Sequence, residues 1–495
     1  MSRRPQTGQT PRTARHPQTA QTPETPETPE TPETPETIEA DYTWTGAGFV
    51  SGVQLRLDGA GRIAAAGPLG ETPTLRLRRR ALLPGLVSAH SHAFQRGLRG
   101  KGERFPAGAG SFWSWREAMY ELAAGLDAEA FERLCTHTFR EMRAAGITTV
   151  GEFHYFHHAS RGEETKKSGG AKAAAKAGGR SRETLDYALD GRVLRAAAAA
   201  GLRIALLNTY YRTGGIALPL AGAQRRFESP SPEPFWEQMD RLGEQLAGPT
   251  QTLGAAVHSL RAAPPEDVVA IHGEARRRGL VLHMHIEEQR REIAECLAYY
   301  GRRPMQQLLT SLPTVEGLVG VHCTHTAPED MERFLDGGGA VCLCPLTEAN
   351  LGDGIPDLSL PRRRTGERGA ALSLGTDSNA RISLLEEMRW LEYGQRLRGE
   401  SRGELRDGAG AVAPILLQAA TAGGARALGL PCGELTPGNW ADMMAIDLDH
   451  PSLDGCDADS LLEALLFGAG NEAIAGTAVA GAWLWRETGE KGRGA

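Results

Sequence analysis

A (β/α)8 TIM-like barrel joined to a small β-sandwich domain built from both chain ends is the fold this sequence predicts, and three observations predict it. Short apolar runs alternate with helical stretches through the middle of the chain, several of those runs end in histidine or acidic residues, and strand-and-turn patterns stand before and after them. The 495 residues also exceed what one compact core needs, which leaves room for a barrel and a smaller companion.

Residues 1–37 are rich in Thr, Pro, Gln and Glu, with tandem PET units from Pro23 to Thr37. Almost no apolar side chains are available to offset chain entropy there, so a disordered tail is expected. Residues 38–82 read as short strands and turns and form the first part of the β-sandwich domain, with turn signals at Asp58-Gly59 and Gly61 before the run Ile63–Ala66. Residues 83–425 carry the barrel: ITTVGEFHY at 147–155, LRIALLNTYY at 202–211, LVLHMHIEE at 280–288, GLVGVHCTH at 317–325, GAVCLCPLTEAN at 339–350 and AALSLGTDSN at 370–379. Strands buried on both faces, each followed by a helix, make a parallel sheet that closes, with its chemistry at the C-terminal strand ends. Residues 160–183 break that rhythm with Lys, Gly and Ala and no hydrophobic face, and are expected to be a solvated, flexible insertion. Residues 426–495 return to strands, at 441–447 and 478–485, and supply the second part of the β-sandwich domain.

The most informative segment is LLPGLVSAHSHAFQR at 82–96. Side chains alternate along a strand, so His90 and His92 point the same way from its end, as two ligands of one metal must. His283 and His285 end LVLHMH, His322 ends GLVGVH and Asp377 ends ALSLGTD. Three imidazoles and a carboxylate suit a divalent ion such as zinc, one per chain, with iron as the alternative and one position left for water. Asp377 can hold the metal with one oxygen and take a proton from that water with the other, Glu288 can pass protons to substrate nitrogen, and His322 can steer the attacking oxygen. Alone, His322 reads as a satisfied core histidine and Asp377 in GTDSN as a helix cap; four strand ends supplying complementary groups favour the site. The spacing leaves open whether His283 or His285 is the ligand.

Composition narrows the partners. With 61 acidic against 55 basic residues and a net charge of −6, neither nucleic acid nor a membrane surface is expected, and a small molecule is. Seven scattered cysteines do not form a disulfide framework, and CLCP at 342–345 suits buried strand residues. No long apolar span or signal pattern appears, so a cytoplasmic protein is expected.

Longer motifs carry a resemblance: HSHAFQRGLRG at 90–100, FWSWREAMY at 112–120, GEFHYFHH at 151–158, HSLR at 258–261, HMHIEEQ at 283–289, HCTHT at 322–326, LCPLTEANLGDG at 343–354 and MRWLEYGQRLR at 388–398. From about Trp44 to Trp485 the chain resembles the amidohydrolase superfamily, and within it the deiminases that act on N-formimidoyl-L-glutamate in histidine degradation. The resemblance implies a mononuclear zinc barrel with a composite β domain, and ligands His90, His92, His285 and Asp377. It implies catalytic roles for Glu288, His322 and Asp377, and substrate contacts from Gln95, Arg116, Tyr155, His258 and Arg261. Two arginines for a dicarboxylate balance its charge. The implied reaction is hydrolysis of the formimidoyl group to a formyl group and ammonia. Deamination of a purine, pterin or other heterocycle is the alternative, and a non-catalytic barrel scaffold the rival from another class. Asn379 is a departure from the resemblance, which implies histidine at that position in some relatives. Barrel enzymes of this kind commonly pair, so a homodimer is expected, with WLEYGQRLR at 390–398 as an interface helix that could equally pack on its own barrel.

Overall fold

The computed structural model describes residues 36–105, 108, 110–159, 185–359 and 372–486. The predicted insertion at 160–183 lies outside these residues, as does the predicted tail apart from its last two positions. Thr37 already belongs to the first strand.

Strands β1 (Thr37–Trp44), β2 (Phe49–Val50), β3 (Gln54–Leu57), β4 (Ile63–Gly67) and β5 (Leu75–Pro84) open the described chain. Eight further strands follow: β6 (Leu86–Ser91), β7 (Ile147–His154), β8 (Arg203–Tyr210), β9 (Gln251–Val257), β10 (Leu282–Ile286), β11 (Leu318–His322), β12 (Ala340–Leu343) and β13 (Leu372–Leu374). They pair in sequence order and all in parallel. Every residue of β6, β7, β8, β10, β11 and β13 is buried, because helices cover the outer face and side chains fill the inner one.

The helices follow from ordinary signals. Helix 128–144 starts where the Asp127 carboxylate accepts the Ala130 N–H at 2.6 Å, and it buries Phe131, Cys135, Phe139 and Met142 at helical spacing. No helix among the described residues is long and apolar enough to cross a membrane.

The first and last barrel strands meet through backbone bonds just beyond β13. Thr376 and Asp377 donate to the His90 carbonyl at 2.9 and 3.1 Å, and His92 donates to the Asp377 carbonyl at 2.8 Å. Gly375 makes this approach feasible: a Cβ there would lie 2.7 Å from both the Cβ and the carbonyl oxygen of His90. The seam of the barrel is thus made from the segments that carry the predicted ligands.

Strands β14 (Met443–Asp447), β15 (Ile474–Val479) and β16 (Ala482–Trp485) join the N-terminal strands in one mixed sheet, in the order β16-β15-β14-β5-β1-β3-β4 with β2 on β1. Its own apolar cluster includes Ile38, Leu55, Ile63, Leu82 and Met443. The two chain ends therefore pair as the sequence predicts. Arg203, at the start of β8, reaches Asp442 with Nε at 2.6 Å and Nη2 at 3.0 Å, a buried two-pronged ion pair that ties this sheet to the barrel.

Candidate metal centre and active site

His90 stands in β6 and His92 one residue beyond it, His285 in β10, and Asp377 in the seam after β13. Their side chains converge. The Nε2 atom of His90 lies 3.2 Å from that of His92 and 3.2 Å from that of His285, and Asp377 Oδ1 is 3.4 Å from His90 Nε2 and 3.3 Å from His92 Nε2. Ligands about 2.0–2.1 Å from a tetrahedral ion stand about 3.3 Å apart, so this spacing fits one cation.

Protonation agrees with the distances. His92 Nδ1 donates to the Phe153 carbonyl at 2.8 Å and His285 Nδ1 to the His258 carbonyl at 2.9 Å, which leaves each Nε2 lone pair facing inward. Burial pulls His90 down to about 3 and lowers His92 and His285, so the three rings are neutral, as ligation requires. Burial works to raise Asp377, yet the surrounding His90, His92 and His322 hold it well below the usual carboxylate range. His283, two residues before His285, turns its Nε2 to the Ala427 carbonyl at 2.8 Å and takes no part. Of the two histidines the strand pattern left open, it is the ring of His285 that stands with His90, His92 and Asp377.

His322, the last residue of β11, sits between acids. Its Nδ1 lies 3.3 Å from Glu348 Oε1, and its Nε2 lies 3.7 Å from Asp377 Oδ2 and 3.9 Å from Glu288 Oε1. Burial would lower it, but the carboxylates prevail and raise it to about 10. His322 and Asp377 have left-handed backbones, with φ of 69° and 42°, strain of the kind that collects at working sites.

The remaining predicted residues face one cleft, all but Arg116 from just beyond different barrel strands. Gln95 follows β6 and donates to the Tyr155 hydroxyl at 2.8 Å; Tyr155 follows β7; His258 follows β9, with Arg261 three residues on. Arg116 comes from helix 112–125, with its guanidinium 4.4 Å from the Trp113 ring, and forms no ion pair among the described residues. All the predicted residues line this cleft except His90, which completes the cluster from within. His325 does not line it.

Sequence reasoning missed several groups. Glu348 lies inside the TEANLGDG motif, where an acid just after a buried strand was the available signal. Glu292 is wholly buried beside Arg261, and burial pushes it up to about 7. Asn379 has a definite place: its side-chain amide donates to Ser91 Oγ at 3.1 Å, the His92 carbonyl at 3.1 Å and the Asp377 carbonyl at 2.9 Å, across the seam. A second buried group, His154, His157 and Asp190, lies at the end of β7 and the start of helix 190–200.

The sequence model of the amidohydrolase family matches residues 81–484. Formimidoylglutamate deiminase from Pseudomonas aeruginosa is 38% identical over 410 residues, covering 82% of this chain and 85% of that protein. A 5-methylthioadenosine/S-adenosylhomocysteine deaminase from Syntrophobacter fumaroxidans is 27% identical over 411 residues, covering 79% and 80%. An amidohydrolase structure from Brucella melitensis, 30% identical, superposes with a TM-score of 0.78 over 90% of this chain and 94% of that one. An adenosine deaminase structure from Xanthomonas campestris with bound zinc is 22% identical and shares the fold, with a TM-score of 0.71 over 90% and 92%. Sequence, barrel topology and the converging histidines lead to one assignment: this chain belongs to the amidohydrolase family.

Proposed function

We propose that the protein hydrolyses N-formimidoyl-L-glutamate to N-formyl-L-glutamate and ammonia, a step of histidine degradation. The observation that carries this reading is Arg116, a cation without an acidic partner among the described residues, facing the same cleft as the histidine and aspartate cluster. An arginine so placed calls for an anionic ligand, and Arg261 offers a second cation for a second carboxylate. The similarity to the Pseudomonas deiminase, across most of both chains, supports it.

His90, His92, His285 and Asp377 would hold one zinc ion, with iron as the alternative. A divalent cation there supplies Lewis acidity, which brings a water proton within reach of removal near neutral pH. Asp377 takes up that proton, and His322, held protonated by the carboxylates around it, steers the water oxygen as it adds to the formimidoyl carbon. Glu288 delivers a proton to the imino nitrogen, the bond between that nitrogen and carbon breaks, and ammonia leaves a formyl amide. Glu348 anchors His322 through Nδ1. Arg116, Arg261, Gln95, Tyr155 and His258 orient the dicarboxylate.

Ammonia release by the zinc-loaded protein, offered formimidoylglutamate, formimidoylaspartate, guanine and adenosine, tests the reading. Release from the dicarboxylates is expected; release from the heterocycles alone transfers the function to ring deamination, and release from none favours a scaffold. The unpaired state of all seven cysteines supports a cytoplasmic setting. Exposed Trp390 and Leu397, seven residues apart on helix 384–399, support a homodimer, checked by light scattering.

A further inference from the structure

Arg261 lines the cleft, is almost fully buried, and stands between two carboxylates. Its Nη2 donates to Glu288 Oε2 at 3.2 Å, and its Nε points toward Glu292 Oε1 at 3.8 Å, too far for a hydrogen bond. Arg261 Nε makes no hydrogen bond, and neither oxygen of Glu292 makes a well-formed one. Glu292 has no access to the cleft or to solvent. One buried cation is therefore shared by two buried acids, and one of those acids is the proposed proton carrier.

That arrangement creates a conflict. Burial raises the Glu288 carboxyl above its ordinary range and the paired Arg261 guanidinium works against that rise, so Glu288 takes up a proton less readily while Arg261 holds it. A substrate carboxylate needs the same Nη groups. If Glu288 were the sole counter-charge, moving Arg261 would leave a buried cation uncompensated, which is costly. Glu292 removes that obstacle from the side away from the cleft.

We propose that Arg261 is a carboxylate-operated release for Glu288, with Glu292 as the positioning residue on which it turns. In the empty cleft Arg261 restrains Glu288. An arriving substrate carboxylate takes the Nη edge of Arg261, Glu292 retains the Nε side, and Glu288 is freed to carry protons. No bond beyond hydrogen bonds changes in this exchange. The inference rests on the reading of the substrate as a dicarboxylate amidine and adds that one carboxylate acts on the rate of the chemical step as well as on binding.

The test uses the full-length, metal-loaded protein with N-butylformamidine, which keeps the reacting group and lacks both carboxylates, with and without propionate. Ammonia release is expected to show kcat lower than on formimidoylglutamate by about 100-fold, and saturating propionate to restore kcat about tenfold with KM for the amidine changed less. In parallel, Glu292→Gln should keep metal content and lower kcat on formimidoylglutamate about tenfold with KM within about threefold. Absence of propionate rescue, or a Glu292→Gln loss confined to KM, overturns the release mechanism while leaving the substrate assignment intact. Absence of wild-type turnover of formimidoylglutamate overturns both. The propionate arm needs no variant, so a poorly folding Glu292→Gln protein still leaves a decisive result.

Discussion

His90, His92 and His285 pack around Phe153 of β7 beside Asp377, while the next residue, His154, turns to Phe131 and joins His157 and Asp190, so two buried groups of the same side-chain types flank one strand end. In the first, nitrogen faces nitrogen at 3.2 Å and lone pairs are aimed inward, so no set of protons satisfies every contact. In the second, His154 Nε2 and His157 Nδ1 both lie 2.9 Å from Asp190 Oδ1, Gln238 donates to Oδ2 at 3.0 Å, and His157 Nε2 reaches the Thr209 carbonyl at 2.8 Å. Each of these ring nitrogens thus faces an oxygen, and none faces another nitrogen. Proximity of histidine to aspartate does not make a metal site. The direction of the lone pairs does.

The contrast can be broken by experiment. Asp377→Asn should lower kcat about 10³- to 10⁴-fold, because the same carboxylate holds the cation and moves a proton, and ammonia release with metal analysis reads both losses. Asp190→Asn should cost about 3–5 kcal/mol of stability by removing the carboxylate that His154, His157 and Gln238 share in a buried network, yet keep full metal stoichiometry. Denaturant unfolding and metal analysis measure the two, and metal loss equal to that of Asp377→Asn would falsify the distinction.

Acid sharpens it further. Burial holds His283 at about 4 against an ordinary 6.5, so between those values the unfolded chain binds a proton that the folded one refuses. Stability conferred by that neutral ring is complete above pH 6.5 and declines as pH falls toward about 4, by up to about 3 kcal/mol. Asp190 behaves on a different schedule. Burial would raise it, but His157 and His154 hold it below its ordinary 3.8, so its contribution persists until pH falls below that value. Melting curves from pH 7 to 3 should therefore decline first from buried neutral histidines and later from the Asp190 network; a single loss confined below pH 4 would contradict this. The smallest effect is expected at the cleft. Arg116→Ala should raise KM about 10- to 100-fold, the worth of one charge-assisted contact, with metal content and melting unchanged.

Much of this was readable in the sequence, for physical reasons. Strands buried on both faces leave continuous apolar runs, and ligands at strand ends interrupt them with polar residues at period two, so His90, His92, His322 and Asp377 stood out. His285 against His283 did not, because alternation puts both on one face and only depth along the strand separates them. Glu348, Glu292 and Asp190 were hidden for another reason. Each acts through a contact far away in sequence, Glu292 with Arg261 and Asp190 with His154 and His157, and no local periodicity encodes such pairs. Asn379 was visible as a departure, but its three acceptors on both sides of the seam emerge only when β6 and the end of β13 come together.

The seam has a consequence for how the protein is born. His90 and His92 leave the ribosome nearly three hundred residues before Asp377 does. A nascent chain therefore carries a partial, carboxylate-free chelate through most of its synthesis, and the fourth donor arrives only as the last barrel strand is laid against the first. A cation held by these four residues would meet its full set of donors only once the hoop is fastened, which would tie tight loading to completion of the fold.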